Sequence, residues 1–239
     1  MLVPSMNRRE VTAEVIKDIS HLNSVTLRRL FDEYARERQK LKIDKAKDYA
    51  RHYSIKTASK NPWLISIKKC ASKPKFQGVQ DAMAWPVTYF YSKIGLQVFN
   101  YYPQDTRMDV YNGHFFVRYN QRMNLNLNSL TDVIKYYFEH NGHLSTQLIH
   151  RDDGIINTVS VCKDGMALGV HLTDPFWIIH NTFISNDLKK KSQQKMEAKM
   201  LHKIQKEILN EKLGIEPFDM QTHKANLNLM AQLSQRKIA

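Results

Sequence analysis

The chain has 239 residues, with 36 Lys and Arg against 23 Asp and Glu, and so a formal net charge of +13 at pH 7. Hydrophobic residues make up 42% and aromatics 10%, enough to bury a core and too much for a disordered chain. Eight glycines and seven prolines are too few for a collagen-like repeat or a long low-complexity linker, and no closely spaced set of glycines forms a P-loop or a dinucleotide fingerprint. Cys70 and Cys162 stand far apart without a C-x-x-C partner, which excludes a disulfide framework and a cysteine zinc site. Apolar runs are strand-sized, well short of the roughly 20 residues of a bilayer helix. MLVPSMNRRE carries no apolar segment of a signal peptide. The chain therefore reads as cytoplasmic, with no membrane partner.

Residues 12 to about 53 show helical spacing. Val15, Ile19 and Leu22 recur on one stripe, and Leu27, Leu30, Phe31, Tyr34 and Leu41 continue it after Ser24, a potential cap. Two helices, or one broken near residues 22–24, are predicted here. The pattern changes at Asn61-Pro62, and 63–67 is β-prone. Residues 85–91 and 95–102 flank Ser92-Lys93-Ile94-Gly95 as a hairpin. After Asn112-Gly113, residues 114–122 read as a short helix and 129–137 as a second one. Residues 155–162 and 166–172 form the clearest hairpin, because Asp164-Gly165 supplies the positive φ angles of a tight turn. Residues 176–184 read as a buried strand, and 187–213 as a Lys-rich helix with Met196, Met200, Ile204, Ile208 and Leu209 on one stripe.

These elements predict an α+β fold with an antiparallel sheet of about six strands, two inserted helices and flanking N- and C-terminal helices. The expected organisation is an N-terminal helical extension over 1–60, an α+β core over 61–185, and a basic helix with a polar tail over 186–239. Net charge is uneven along the chain: +6 over 1–60, +5 over 61–123, −3 over 124–185 and +5 over 186–239. A polyanion can track such basic segments by counterion release, although lysine-rich helices also serve solubility alone.

His114, Arg118 and Arg122 fall at i, i+4 and i+8, drifting by about 40° per step, so they share one helix face. Phe115, Phe116 and Tyr119 lie opposite and anchor the row to a core. Two arginines can hold a phosphate through planar hydrogen bonds, and a histidine can move a proton near neutral pH. Those parts suffice for cleavage of RNA by its own 2′-hydroxyl without metal or other cofactor. On Thr182, His180 lies two residues away and joins the same potential cleft, and Tyr119 is a further candidate substrate contact. Tyr89, Tyr91, Tyr101 and Tyr102 crowd one hairpin, where they can stack on bases or pack a core. His140, His143 and His150 with Asp152-Asp153 read as a loop, not as a metal site.

The helix H-x-x-x-R-Y-x-x-R beside an antiparallel sheet, followed by the strands around 165–169 and 181–184, resembles the barnase, EndoU, colicin and RelE-type ribonuclease superfamily over roughly residues 85–185. The resemblance implies His114 as acid or base, Arg118 and Arg122 as phosphate holders and Thr182 as a hydroxyl donor. Such a protein would be a ribonuclease or nuclease-like toxin acting on RNA in preference to DNA, with an antitoxin or a second copy docking on the 187–213 helix. Two other readings stay open: a non-enzymatic nucleic-acid or protein interaction module, and a phage or mobile-element structural protein.

Overall fold

The structure, a computed structural model, describes residues 1–22, 26–41, 49–69, 82–103, 106–142 and 144–212. The chain divides into two units, residues 1–189 and 190–239. The first begins with helices α1 (Arg8–His21) and α2 (Leu27–Lys40), followed by strands β1 (Ala50–Lys56), β2 (Pro62–Lys69), β3 (Ala82–Ser92), β4 (Gly95–Tyr102) and β5 (Arg107–Asn112). Helices α3 (Gly113–Arg122) and α4 (Leu130–His140) come next. Strands β6 (Ser145–His150), β7 (Ile156–Cys162), β8 (Gly165–Leu172) and β9 (Trp177–Ser185) complete the fold. In the second unit, α5 spans Lys191–Lys212, and Leu213, where the helical pattern ends in the sequence, lies outside the described residues.

The described strands form one nine-stranded sheet in the order β1-β2-β3-β4-β5-β9-β8-β7-β6, rather than the six or so antiparallel strands expected. Seven neighbouring pairs are antiparallel, and the central pair, β5 with β9, is parallel. Two antiparallel meanders thus meet at one parallel seam. Three strands escaped the sequence pattern. β1 is hidden by helical spacing that runs on to Tyr53, yet 50–56 pairs with β2 along its whole length. β5 carries Arg107 and Asp109, which look like loop residues although Asp109 is fully buried. β6 is a short edge strand of mostly polar residues.

Each sheet face has its own helical cover, as the alternation along the strands requires. In β2, Leu64 points to the α3/α4 side while Trp63, Ile65 and Ile67 point to the α1/α2 side. In β5, Tyr111 joins the first core and Met108 and Val110 the second. Residues 1–60 are thus part of this unit. Val11, Val15 and Ile19 of α1 and Leu30 and Tyr34 of α2 bury their stripe on the sheet. Asn7 starts α1 with a reciprocal capping box, its side chain accepting from the Glu10 amide at 3.0 Å and its amide donating to Glu10 at 2.7 Å. At α2, Ser24 lies outside the described residues, and Thr26 holds the N-cap position without a side-chain bond.

Candidate functional site

The parallel seam ends where β5 turns directly into α3. Asn112 makes that turn possible: its Oδ1 accepts from the Phe115 amide at 2.8 Å, and its Nδ2 donates to Asn181 Oδ1 of β9 at 3.3 Å. Gly113 leaves room there, since a Cβ would lie tight against Leu96 at 3.3 Å. Phe115, Phe116 and Tyr119 then lock one face of α3 into the aromatic core around Tyr111, Tyr137 and Phe183. The opposite face carries the cationic row. Arg118 Nε donates to His114 Nε2 at 3.2 Å, and both side chains are exposed. A ring nitrogen that accepts from a guanidinium holds a lone pair, so this contact fits the neutral imidazole. Arg122, in the last turn, is half-buried.

The other candidates lie elsewhere. Tyr119 is fully buried, and its phenol donates to Asp164 Oδ2 at 2.5 Å; burial and this carboxylate both push its pKa up. His180 is also fully buried, stacked on Tyr111 at 4.5 Å with Nε2 at 3.5 Å from Asp109. Neither side chain is open to a substrate, which corrects their assignment as substrate contacts. Thr182 also departs from the expected cleft. The register moves from Leu168↔Thr182 to Gly169↔His180, so Asn181 is the extra residue of a bulge. Phe183 and its partner Ala167 belong to the core under α3, and Thr182, next along regular strand, turns to the other sheet face. The bulge also explains Gly169, where any Cβ would meet the Ile179 carbonyl.

The hairpin tip between β3 and β4 stands at the same end of the sheet as the start of α3, since Gln97 pairs with Asn112 and Leu96 lies against Gly113. It exposes Tyr91 (66%) and Ile94 (81%) beside Lys93, and Tyr91 is the cross-strand partner of Leu96. Gly95 closes the turn at φ +102°, a conformation that L side chains resist.

Two further polar groupings were not legible in the sequence, because each joins residues from distant elements. On the α3/α4 side of β4 and β5, Arg107 Nε pairs with buried Asp109 at 3.1 Å, and its guanidinium lies 4.3 Å from the Tyr102 ring centre. Asn100 donates to the Tyr102 hydroxyl at 2.8 Å. Burial raises the Tyr102 pKa. Near the β1 edge, His52 Nε2 meets Glu139 of α4 at 3.0 Å and Nδ1 meets Ser66 at 2.9 Å. A carboxylate only accepts, so Nε2 donates to Glu139, while Nδ1 and the Ser66 hydroxyl share the second hydrogen bond. The bond from His52 is the main cause that lowers the Glu139 pKa. The row has the partners of a catalytic triad, but Ser66 is 3% exposed in mid-strand, its backbone enclosed by the ladders to β1 and β3, with no pair of free amides for an oxyanion. It is a clasp that holds the last turn of α4 on the sheet.

His140 stacks on Tyr136 at 4.0 Å and bonds the Tyr136 carbonyl through Nδ1 at 2.8 Å, while His143 and Cys70 lie outside the described residues. Burial lifts the Cys162 thiol to about 12, which leaves it an inert packing group. Among the described residues, no helix is long and apolar enough to cross a membrane. Compared with known proteins, the chain matches no family model, no curated protein and no solved structure.

Proposed function

We propose that the chain is a non-enzymatic nucleic-acid-binding module, with α3 and the adjoining hairpin tip as its contact surface for a single strand. The observation that carries this reading is the exposed His114–Arg118 pair on a helix whose other face is fixed in the core. Arg118 and Lys93 supply charge for phosphates, and exposed Tyr91 supplies a ring on which a base can stack. The position of Thr182 on the far side of the sheet supports binding over cleavage, because the four residues of the expected cleft do not surround one phosphate.

Fluorescence anisotropy with a labelled single-stranded RNA or DNA of about 20 nucleotides tests the proposal. Affinity is expected to fall steeply between about 50 and about 200 mM salt, and Arg118→Ala to lower the slope of log K against log salt by about one. Tyr91→Ala is expected to weaken binding by about 1–3 kcal/mol. Salt-independent or absent binding overturns the reading. In EDTA the RNA should stay intact; cleavage that disappears in His114→Ala would replace binding with the ribonuclease reading.

A further inference from the structure

One residue interrupts the burial of a central strand. β9 lies between β5 and β8, and along Trp177–Ser185 only Asn181 is exposed. It is the extra residue of the bulge opposite Leu168 and Gly169. A bulge gives up ladder bonds to re-aim a side chain, and bulges are over-represented beside active sites. Here it sets an amide at the end of the parallel seam, next to Asn112, which stands two residues ahead of His114.

A chain of hydrogen bonds decides which way round this amide sits. The Phe115 N–H can only donate, so the Asn112 atom it meets at 2.8 Å is Oδ1, and Asn112 turns Nδ2 toward β9. Nδ2 can only donate, so the Asn181 atom it meets at 3.3 Å is Oδ1. Asn181 therefore turns its acceptor to Asn112 and has both Nδ2 N–H groups to offer elsewhere. Its neighbours on α3 are of the same kind. Arg118 has donors alone, and His114, whose Nε2 accepts from Arg118, carries its proton on Nδ1. These three side chains offer donors to a ligand.

Bases differ in what they show to donors. Guanine presents two adjacent acceptors, O6 and N7, whereas adenine sets an N6 amino donor beside its N7 acceptor. An unrestrained asparagine reads adenine with its oxygen and nitrogen together. Asn181 has its oxygen turned to Asn112, so adenine meets donor against donor. An uncharged, directional group suits a base edge, while Arg118 and Lys93 serve the phosphates. Tyr91, the ring for stacking, is at the same end of the sheet on β3, three strand spacings or about 14 Å from β9, a span that a few nucleotides cover.

We propose that Asn181 is the base-reading residue of the strand-binding surface and selects guanine over adenine, with Asn112 as the positioning residue that fixes which end of the amide meets the base. The proposal rests on the strand-binding reading and adds a sequence preference to it.

Anisotropy titrations of the full chain test it, with labelled RNAs of about 20 nucleotides that are all adenosine, or carry guanosine or inosine at every third position. The guanosine strand should bind about fivefold or more tightly than the adenosine strand, and inosine, which keeps O6 and N7 without the 2-amino group, should match guanosine. Asn181→Ala should bring the two affinities to within about twofold. Asn112→Asp is the sharper variant. Aspartate caps a helix as well as asparagine does, but its carboxylate only accepts, so the Asn181 amide turns Nδ2 toward position 112 and Oδ1 outward. The preference should then pass to adenosine, whose N6 donates. Circular dichroism and melting confirm the fold of both variants. Equal affinity for the guanosine and adenosine strands, or a preference unchanged in folded Asn181→Ala or Asn112→Asp protein, would overturn the proposal and leave strand binding standing. If no strand binds, the strand-binding reading itself fails, and the proposal with it.

Discussion

An Asp18→Ala substitution would remove the shared acceptor of several buried or half-buried donors. Asp18 Oδ2 accepts from Thr57 Oγ1 at 2.7 Å, Asn61 Nδ2 at 2.7 Å and Trp63 Nε1 at 3.1 Å, and these contacts tie α1 to the β1–β2 hairpin. Burial alone would raise its pKa, but the bonds from Asn61, Thr57, Trp63 and Ser59 outweigh burial and hold it below the usual value. Its folded pKa is thus depressed, so the stability it contributes is present above about pH 3.9, the ordinary Asp value, and is lost as pH falls through the lower folded value. Thermal melts should show Asp18→Ala destabilised by about 1–3 kcal/mol at pH 7, with a smaller difference from the parent at pH below 3. None of this network is visible at residue 18 in the sequence, where the aspartate looks like one more charge on an amphipathic helix. Its partners come from a hairpin about 40 residues on, and no local pattern links the two segments.

The end of α4 depends on a similar knot between elements. Asn141 donates to Asp164 Oδ2 at 2.7 Å and accepts from the Asp164 amide at 3.0 Å, while Tyr119 of α3 donates to the same carboxylate. Both helices are thereby pinned to the β7–β8 turn. Asn141→Ala should lower stability by about 1–3 kcal/mol and speed amide exchange in the last turn of α4, as measured by hydrogen–deuterium exchange. Elements with local chemistry were legible: the Gly95 turn announced β3–β4, and aromatic residues opposite the cationic row announced α3. The β7–β8 hairpin was placed correctly although neither Asp164 nor Gly165 takes the positive φ expected: the turn residues are Lys163 and Asp164, and Gly165 stands in β8, where a Cβ would meet the Ile184 carbonyl. β5 was not, because its centre is a buried Asp109 whose Arg107 and His180 partners are known only once the fold exists. The rows for α3 were read correctly as one face, but the expected cleft also needed Thr182 on the near side of β9. A single extra residue, Asn181, reverses the alternation, and a two-residue period cannot reveal a bulge.

Over the whole molecule the charge is divided between the meanders. Within residues 1–189, segment 1–123, with α1, α2, the first meander and α3, carries net +11, and residues 124–185, with α4 and the second meander, carry net −3. Salt screens charges beyond roughly 8–10 Å, so a strand bound at α3 would feel a charge on α3 itself far more than one at the distal edge strand β6. Arg118→Glu should therefore reduce oligonucleotide affinity about tenfold or more at low salt, and Arg151→Glu, next to Asp153 beyond the end of β6, less than about threefold. Anisotropy titrations of both variants check this, and equal losses would mean that the strand follows a different path.

The single parallel seam also sets an order of events for the chain as it folds. Within each meander, neighbouring strands are neighbours in sequence, so their closures are short and early. Among the described strand pairs only the seam, where Met108 meets Trp177 and Val110 meets Ile179, joins segments far apart along the chain. Its closure is the costly step, since long-range pairing loses loop entropy before contacts repay it. Val110→Ala should consequently slow refolding and change unfolding little, whereas Ile65→Val, in the sequence-local part of the first meander, should act mainly on unfolding; stopped-flow chevrons of the two variants distinguish them.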